Sequence, residues 1–157
     1  MKTRFKILIP AFLLAFVIGC KKDQTTIDKE YPTIDISSST AFPIQCSEIS
    51  RGQKFTFKAK FNDNAALGSY SLDIHHNFDH HSHSTEVSDC SLEPVKTAVK
   101  PFLLINTFQI PSGSKNYDAI NEITVPADID PGDYHFLIKL TDKEGWQTLK
   151  GISIKIK

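Results

Sequence analysis

The chain has 157 residues, 40% of them hydrophobic and 23% charged, which suits one ordinary globular domain. Its 18 basic and 18 acidic residues cancel. Lys2, Arg4 and Lys6 stand within the first nineteen positions, so the rest holds 15 basic against 18 acidic residues and no basic run. That excludes an electrostatic case for nucleic acid as a partner.

Behind these three positive charges, residues 7–19 form an apolar run broken only by Pro10. The run is shorter than the ~20 residues a bilayer span needs, and it has the form of a secretory signal. It ends in Val17-Ile18-Gly19-Cys20, which resembles the lipobox of bacterial lipoproteins. The resemblance implies cleavage before Cys20 and acylation of its sulfur and new amino group. Each buried methylene then adds about 0.8 kcal/mol of membrane affinity. A plain secretory signal with a chance cysteine is the alternative. The expected organisation is a signal peptide over residues 1–19, lipidated Cys20 with a polar tether to residue 30, and one domain over 31–157. The membrane is the first expected partner, and an outer-membrane transporter or surface complex the second. The domain would face the periplasm or the outside.

With Cys20 assigned to lipid, Cys46 and Cys90 remain. Exported chains meet an oxidising environment, so a disulfide between them is expected. It would pin the segment before Cys90 to the domain edge. Two free thiols, or Cys90 as a metal ligand, are the alternatives.

From Tyr31 onward, short alternating segments are separated by turn residues. Residues 32–36 predict a first strand and 41–46 a second edge piece, with Pro43 acceptable there. Residues 54–61 alternate clearly, with Phe55, Phe57, Ala59 and Phe61 on one face and Lys54, Thr56, Lys58 and Lys60 on the other. Asn62-Asp63-Asn64 reads as a turn. Residues 69–78 alternate again. Tyr70, Leu72 and Ile74 point one way; Ser71, Asp73 and His75 point the other.

Residues 79–100 are polar and irregular and read as a long inserted loop. Further strands are predicted at 102–110, 121–125, 134–140 and 149–156. Trp146, in the last turn, reads as a contact residue or as a cover for the end of the core. There is no amphipathic helix signal and no internal repeat. About seven strands at regular spacing predict an all-β antiparallel sandwich.

Five of the six histidines fall in one run, Ile74-His75-His76-Asn77-Phe78-Asp79-His80-His81-Ser82-His83. The sixth is His135. Imidazole is a common ligand for zinc and copper, so the run is a metal-site candidate.

Pro131-Gly132-Asp133-Tyr134-His135 and Thr141-Asp142-Lys143-Glu144-Gly145 resemble the penultimate strand and final turn of immunoglobulin-like modules. With the lipobox and the histidine run, the chain resembles a domain-of-unknown-function family of small immunoglobulin-like lipoproteins typical of Bacteroidota. The resemblance implies an immunoglobulin-like sandwich of about seven strands with a His-rich loop insertion, carried at the cell envelope. The family's signature histidines correspond to His75, His81, His83 and His135; His76 and His80 are additional.

In such a sandwich the strands at 69–78 and 134–140 are antiparallel neighbours. Asp73 and His75 then share an outward face with His135, and the two rings sit at adjoining strand ends, about 5 Å apart at Cβ. The His81-x-His83 spacing puts both rings on one side of an extended segment. Three or four imidazoles suit a Zn or Cu ion, with Asp73 or Asp79 as a ligand or as an acceptor behind a ring N–H. His76 faces the core side and reads as structural. A solvated loop with adventitious metal capture is the alternative. No Gly-x-Ser-x-Gly, phosphate loop or His-Glu-x-x-His is present, so no enzymatic activity is expected. The functional expectation is metal capture or handover. The competing one is an adhesion or glycan-binding accessory module with incidental histidines.

Overall fold

The computed structural model of the chain describes residues 27–81 and 90–157. Eight strands follow in order: β1 (Thr33–Asp35), β2 (Ser47–Ile49), β3 (Lys54–Asn62), β4 (Leu67–His76), β5 (Leu104–Gln109), β6 (Asn116–Thr124), β7 (Gly132–Asp142) and β8 (Gln147–Ile156). They form two sheets, ordered β1-β3-β6 and β2-β8-β7-β4-β5. Every pairing is antiparallel except that of β2 with β8. No helix occurs among the described residues.

Period-two alternation builds the core. Phe57 and Phe61 from β3 face Leu72 and Ile74 from β4, Phe136, Ile138 and Leu140 from β7, and Ile156 from β8, all fully buried. Each such side chain contributes about 1.5–3 kcal/mol by leaving water. The connectivity is immunoglobulin-like: β3 crosses to β4, β4 and β5 share a sheet, β6 crosses back, and β7 and β8 complete the larger sheet. Tyr134 supplies a tyrosine corner. Its hydroxyl donates to the Asp130 carbonyl at 2.6 Å and accepts from the Phe102 N–H at 3.1 Å. Phe136, two residues on, holds the place of the second cysteine of antibody domains and stacks on Phe57 of the other sheet at 5.6 Å. An aromatic contact thus joins the sheets where a disulfide would.

The second edge strand is displaced from its expected place. Within 41–46 only Phe42 bridges to Lys58, and β2 begins at Ser47, running parallel to the end of β8. Cys46 has a left-handed backbone (φ 64) that interrupts the extended run, and β8 supplies the partner that local alternation could not reveal. β6 starts earlier than expected, at Asn116. Its polar first residues continue the ladder with β3 as far as Asn62.

Cys46 and Cys90 are joined by a disulfide with Cα atoms 5.5 Å apart. It ties the entry to β2 to the segment that precedes β5. Gly132 opens β7 with φ 131, and a Cβ there would meet the Phe78 ring and the Lys96 ammonium at 3.0 Å. Only glycine lets the start of β7 pass so close beneath the histidine segment.

Candidate metal centre

The β4–β7 ladder pairs His75 directly with His135, and the ring centroids lie 5.3 Å apart. Both rings stand on the face opposite Ile74 and Phe136, as alternation requires. His135 stands on the expected face and is nevertheless only 1% exposed. The cause is the chain after β4. The Asn77 N–H donates to the Asp133 carbonyl at 2.8 Å, and the His80 N–H returns to the Asn77 carbonyl at 3.3 Å. His80 takes a left-handed backbone (φ 57), which folds the next residue back over β7. The His81 carbonyl then lies 3.1 Å from His135 Nε2, and the two rings meet edge to face at 4.7 Å.

His75, His81 and His135 each bring one ring nitrogen into a group whose members all lie within 4.8 Å of one another. The tautomers follow from the partners. His75 Nδ1 is 2.8 Å from Asp73 Oδ1, and His81 Nδ1 is 2.6 Å from Asp79 Oδ1. An ionised carboxylate only accepts, so Nδ1 carries the proton in both rings and Nε2 carries the lone pair. A carbonyl likewise only accepts, so His135 Nε2 is the N–H and Nδ1 the lone-pair nitrogen. The His81 ring N–H beside Asp79 holds that carboxyl below the usual carboxylate range. Asp73 and Asp79 therefore stand behind the rings, as acceptors.

The remaining expected residues divide. His83 and Cys20 lie outside the described residues. Cys90 is held in the disulfide and offers no thiolate. His76 is half-buried, and its ring packs on Phe78 at 4.9 Å. His80 turns away, its Nε2 donating to the Glu93 carbonyl at 2.8 Å. Sequence reading missed the clamp that holds the segment after Cys90. The Glu93 N–H donates to Asp133 Oδ2 at 2.7 Å, and the Lys155 ammonium lies 3.6 Å from Asp133 and 3.5 Å from Glu93. Asp133 stood out only within Pro131-Gly132-Asp133-Tyr134-His135, and nothing local pointed to its distant partners.

The fold and the cluster together define an immunoglobulin-like β-sandwich with a three-histidine group at one end of its five-stranded sheet, a group that could hold a metal ion. The chain belongs to the DUF4625 family, a domain of unknown function, whose model matches residues 18–157. No curated protein matches it. Among solved structures it is similar to a GspB Siglec domain, at 20% identity and TM-score 0.46, covering 83% of this chain and 59% of that one. It is also similar to Spo0M, a sporulation control protein from Bacillus subtilis, at 10% identity and TM-score 0.41, covering 81% of this chain and 49% of that one.

Proposed function

We propose that this domain is a cell-envelope lipoprotein module that binds one Zn²⁺ or Cu²⁺ ion through His75, His81 and His135, and captures it or hands it to a partner in the outer membrane. The convergence of three ring nitrogens within 4.8 Å carries the reading. An ion about 2.0–2.1 Å from each nitrogen would need the rings to close by less than ~1 Å. Asp73 and Asp79 support the same reading, since a carboxylate behind Nδ1–H fixes the tautomer and raises ligand basicity. Three protein ligands leave a fourth position for solvent or for His83, and an open position suits exchange better than permanent storage. The lipobox-like Val17-Ile18-Gly19-Cys20 supports anchorage through Cys20.

Calorimetric titration of residues 27–157 with ZnCl₂ and CuCl₂ tests the site. One equivalent should bind. Binding of several weak equivalents would identify loose chelation and remove the single site. Fractionation of a Cys20→Ser chain tests the anchor, which fails if the variant stays with the membranes.

A further inference from the structure

We propose that Asp28, Asp63 and Asp142 form a second cation site, for Ca²⁺, which fastens the segment leading into the domain onto the sandwich. The three residues come from distant parts of the chain. Asp28 precedes β1, Asp63 follows β3 in the turn to β4, and Asp142 ends β7. One carboxylate oxygen from each lies within 4.8 Å of the others. A Ca–O distance of about 2.3–2.6 Å lets one ion bridge two oxygens up to about 4.6–5.2 Å apart, so small closing movements of the three side chains bring all of them within reach of a single Ca²⁺. Unlike the histidine group, this donor set is all oxygen and anionic, the preference of a hard cation.

Each carboxylate has one oxygen committed to the protein. Asp28 Oδ1 accepts from the Glu30 N–H at 3.0 Å and from Asn64 Nδ2 at 2.8 Å. Asp63 Oδ2 accepts from the Ala65 N–H at 2.9 Å. Asp142 Oδ1 accepts from the Gly145 and Trp146 N–H groups at 2.6 and 2.7 Å. The other oxygens, Asp28 Oδ2, Asp63 Oδ1 and Asp142 Oδ2, are shut off from solvent and meet no donor. Asp142 as a whole is only 3% exposed. Among the described residues, no lysine or arginine forms an ion pair with any of the three. A buried anionic oxygen without a donor is strongly unfavourable, and three neighbouring carboxylates repel one another. One divalent cation removes both penalties.

The surroundings give the site its role. Trp146 follows Asp142 in the β7–β8 turn. Its Nε1 donates to the Asp28 carbonyl at 2.9 Å, and its ring packs on Tyr31 at 5.0 Å. The Thr148 hydroxyl donates to the Pro32 carbonyl. The entering segment thus lies across this turn, and the ion cross-links the two. Extracellular calcium modules bind with dissociation constants of about 10⁻⁴–10⁻³ M, the affinity class expected here.

The test uses the full chain in mild detergent, stripped with EGTA and titrated with CaCl₂ at neutral pH. Melting temperature and the emission of Trp146, the single tryptophan of the chain, are followed. The expected result is a saturable change in emission, with a rise in melting temperature of roughly 5–10 °C at a hundredfold excess over the dissociation constant. Asp63→Asn and Asp28→Asn, made separately, keep an acceptor for the local N–H groups and remove one charge. Each should fold in EGTA as well as the parent chain and lose at least ~10-fold in Ca²⁺ affinity. A parent chain that ignores CaCl₂ up to about 10 mM overturns the site. So do two variants that respond as the parent does.

Discussion

His75 and His135 stand opposite each other in the β4–β7 ladder, and the turn after β4 lays His81 over both. His135 is the buried member of the three and lies outside the histidine run. His135→Ala should therefore lower Zn²⁺ affinity by roughly a hundredfold, since a three-ligand site loses a ligand. It should also destabilise the fold by about 2–4 kcal/mol, because a buried ring leaves a cavity. Calorimetry reads the first effect and thermal melting the second. Unchanged affinity at unchanged stoichiometry would mean the two strands share no site.

Asp73 acts through His75. Asp73→Ala removes the acceptor of the ring N–H and frees the ring to rotate. Metal affinity should fall by about 10–100-fold. The side chain is a third exposed, so stability should shift by no more than ~0.5 kcal/mol. A large loss of stability with full affinity would reverse these roles.

Acid should act in two separate windows. Asp35 is held below the usual carboxyl value of 3.8 by the Ser37 hydroxyl, Asp128 by Lys100, and Asp130 by the Val99 and Lys100 N–H groups. A depressed folded value gives stability that is complete above the unfolded value and lost as pH falls through the folded one. These carboxyls should therefore weaken the fold only below about pH 4. Metal release comes earlier, because protons compete for the same ring nitrogens and a protonated ring cannot ligate. Circular dichroism and zinc competition, followed together from pH 7 to 3, should show a folded, metal-free chain near pH 4.5. Coincident loss of both signals would tie release to unfolding.

Tyr134→Phe should cost about 1–3 kcal/mol. The ring stays in place, but the Phe102 N–H and the Asp130 carbonyl lose their shared partner. Denaturant unfolding at neutral pH measures the difference. An unchanged midpoint would show that the corner does not stabilise the fold.

Much of this architecture was legible in the sequence because strands alternate. The alternation from Phe55 to Phe61 and from Tyr134 to Leu140 assigned inward faces, and parity put His75 and His135 on the same side. Face, however, is not exposure. The parity of His135 gave no sign that Asp79, His80 and His81 would double back and bury it, because that turn depends on Asn77 bonding to distant Asp133. The place of β2 was illegible for a similar reason: three residues carry little pattern, and β8 decides where they pair. The carboxylate group was hidden as well. Asp63 and Asp142 were visible only as turn residues, and Asp28 fell within the expected tether.

The β4–β7 ladder also sets a distance. Leu67 pairs with Asp142 at one end, and His75 pairs with His135 one step before the other. At ~3.3 Å per residue, those two pairs are roughly 26 Å apart. The N-terminal segment meets the fold at the Asp142 end, where Asp28 and Trp146 join it. On the anchorage proposed above, a tether through that segment would hold the histidine group at the opposite end of the sheet from the lipid.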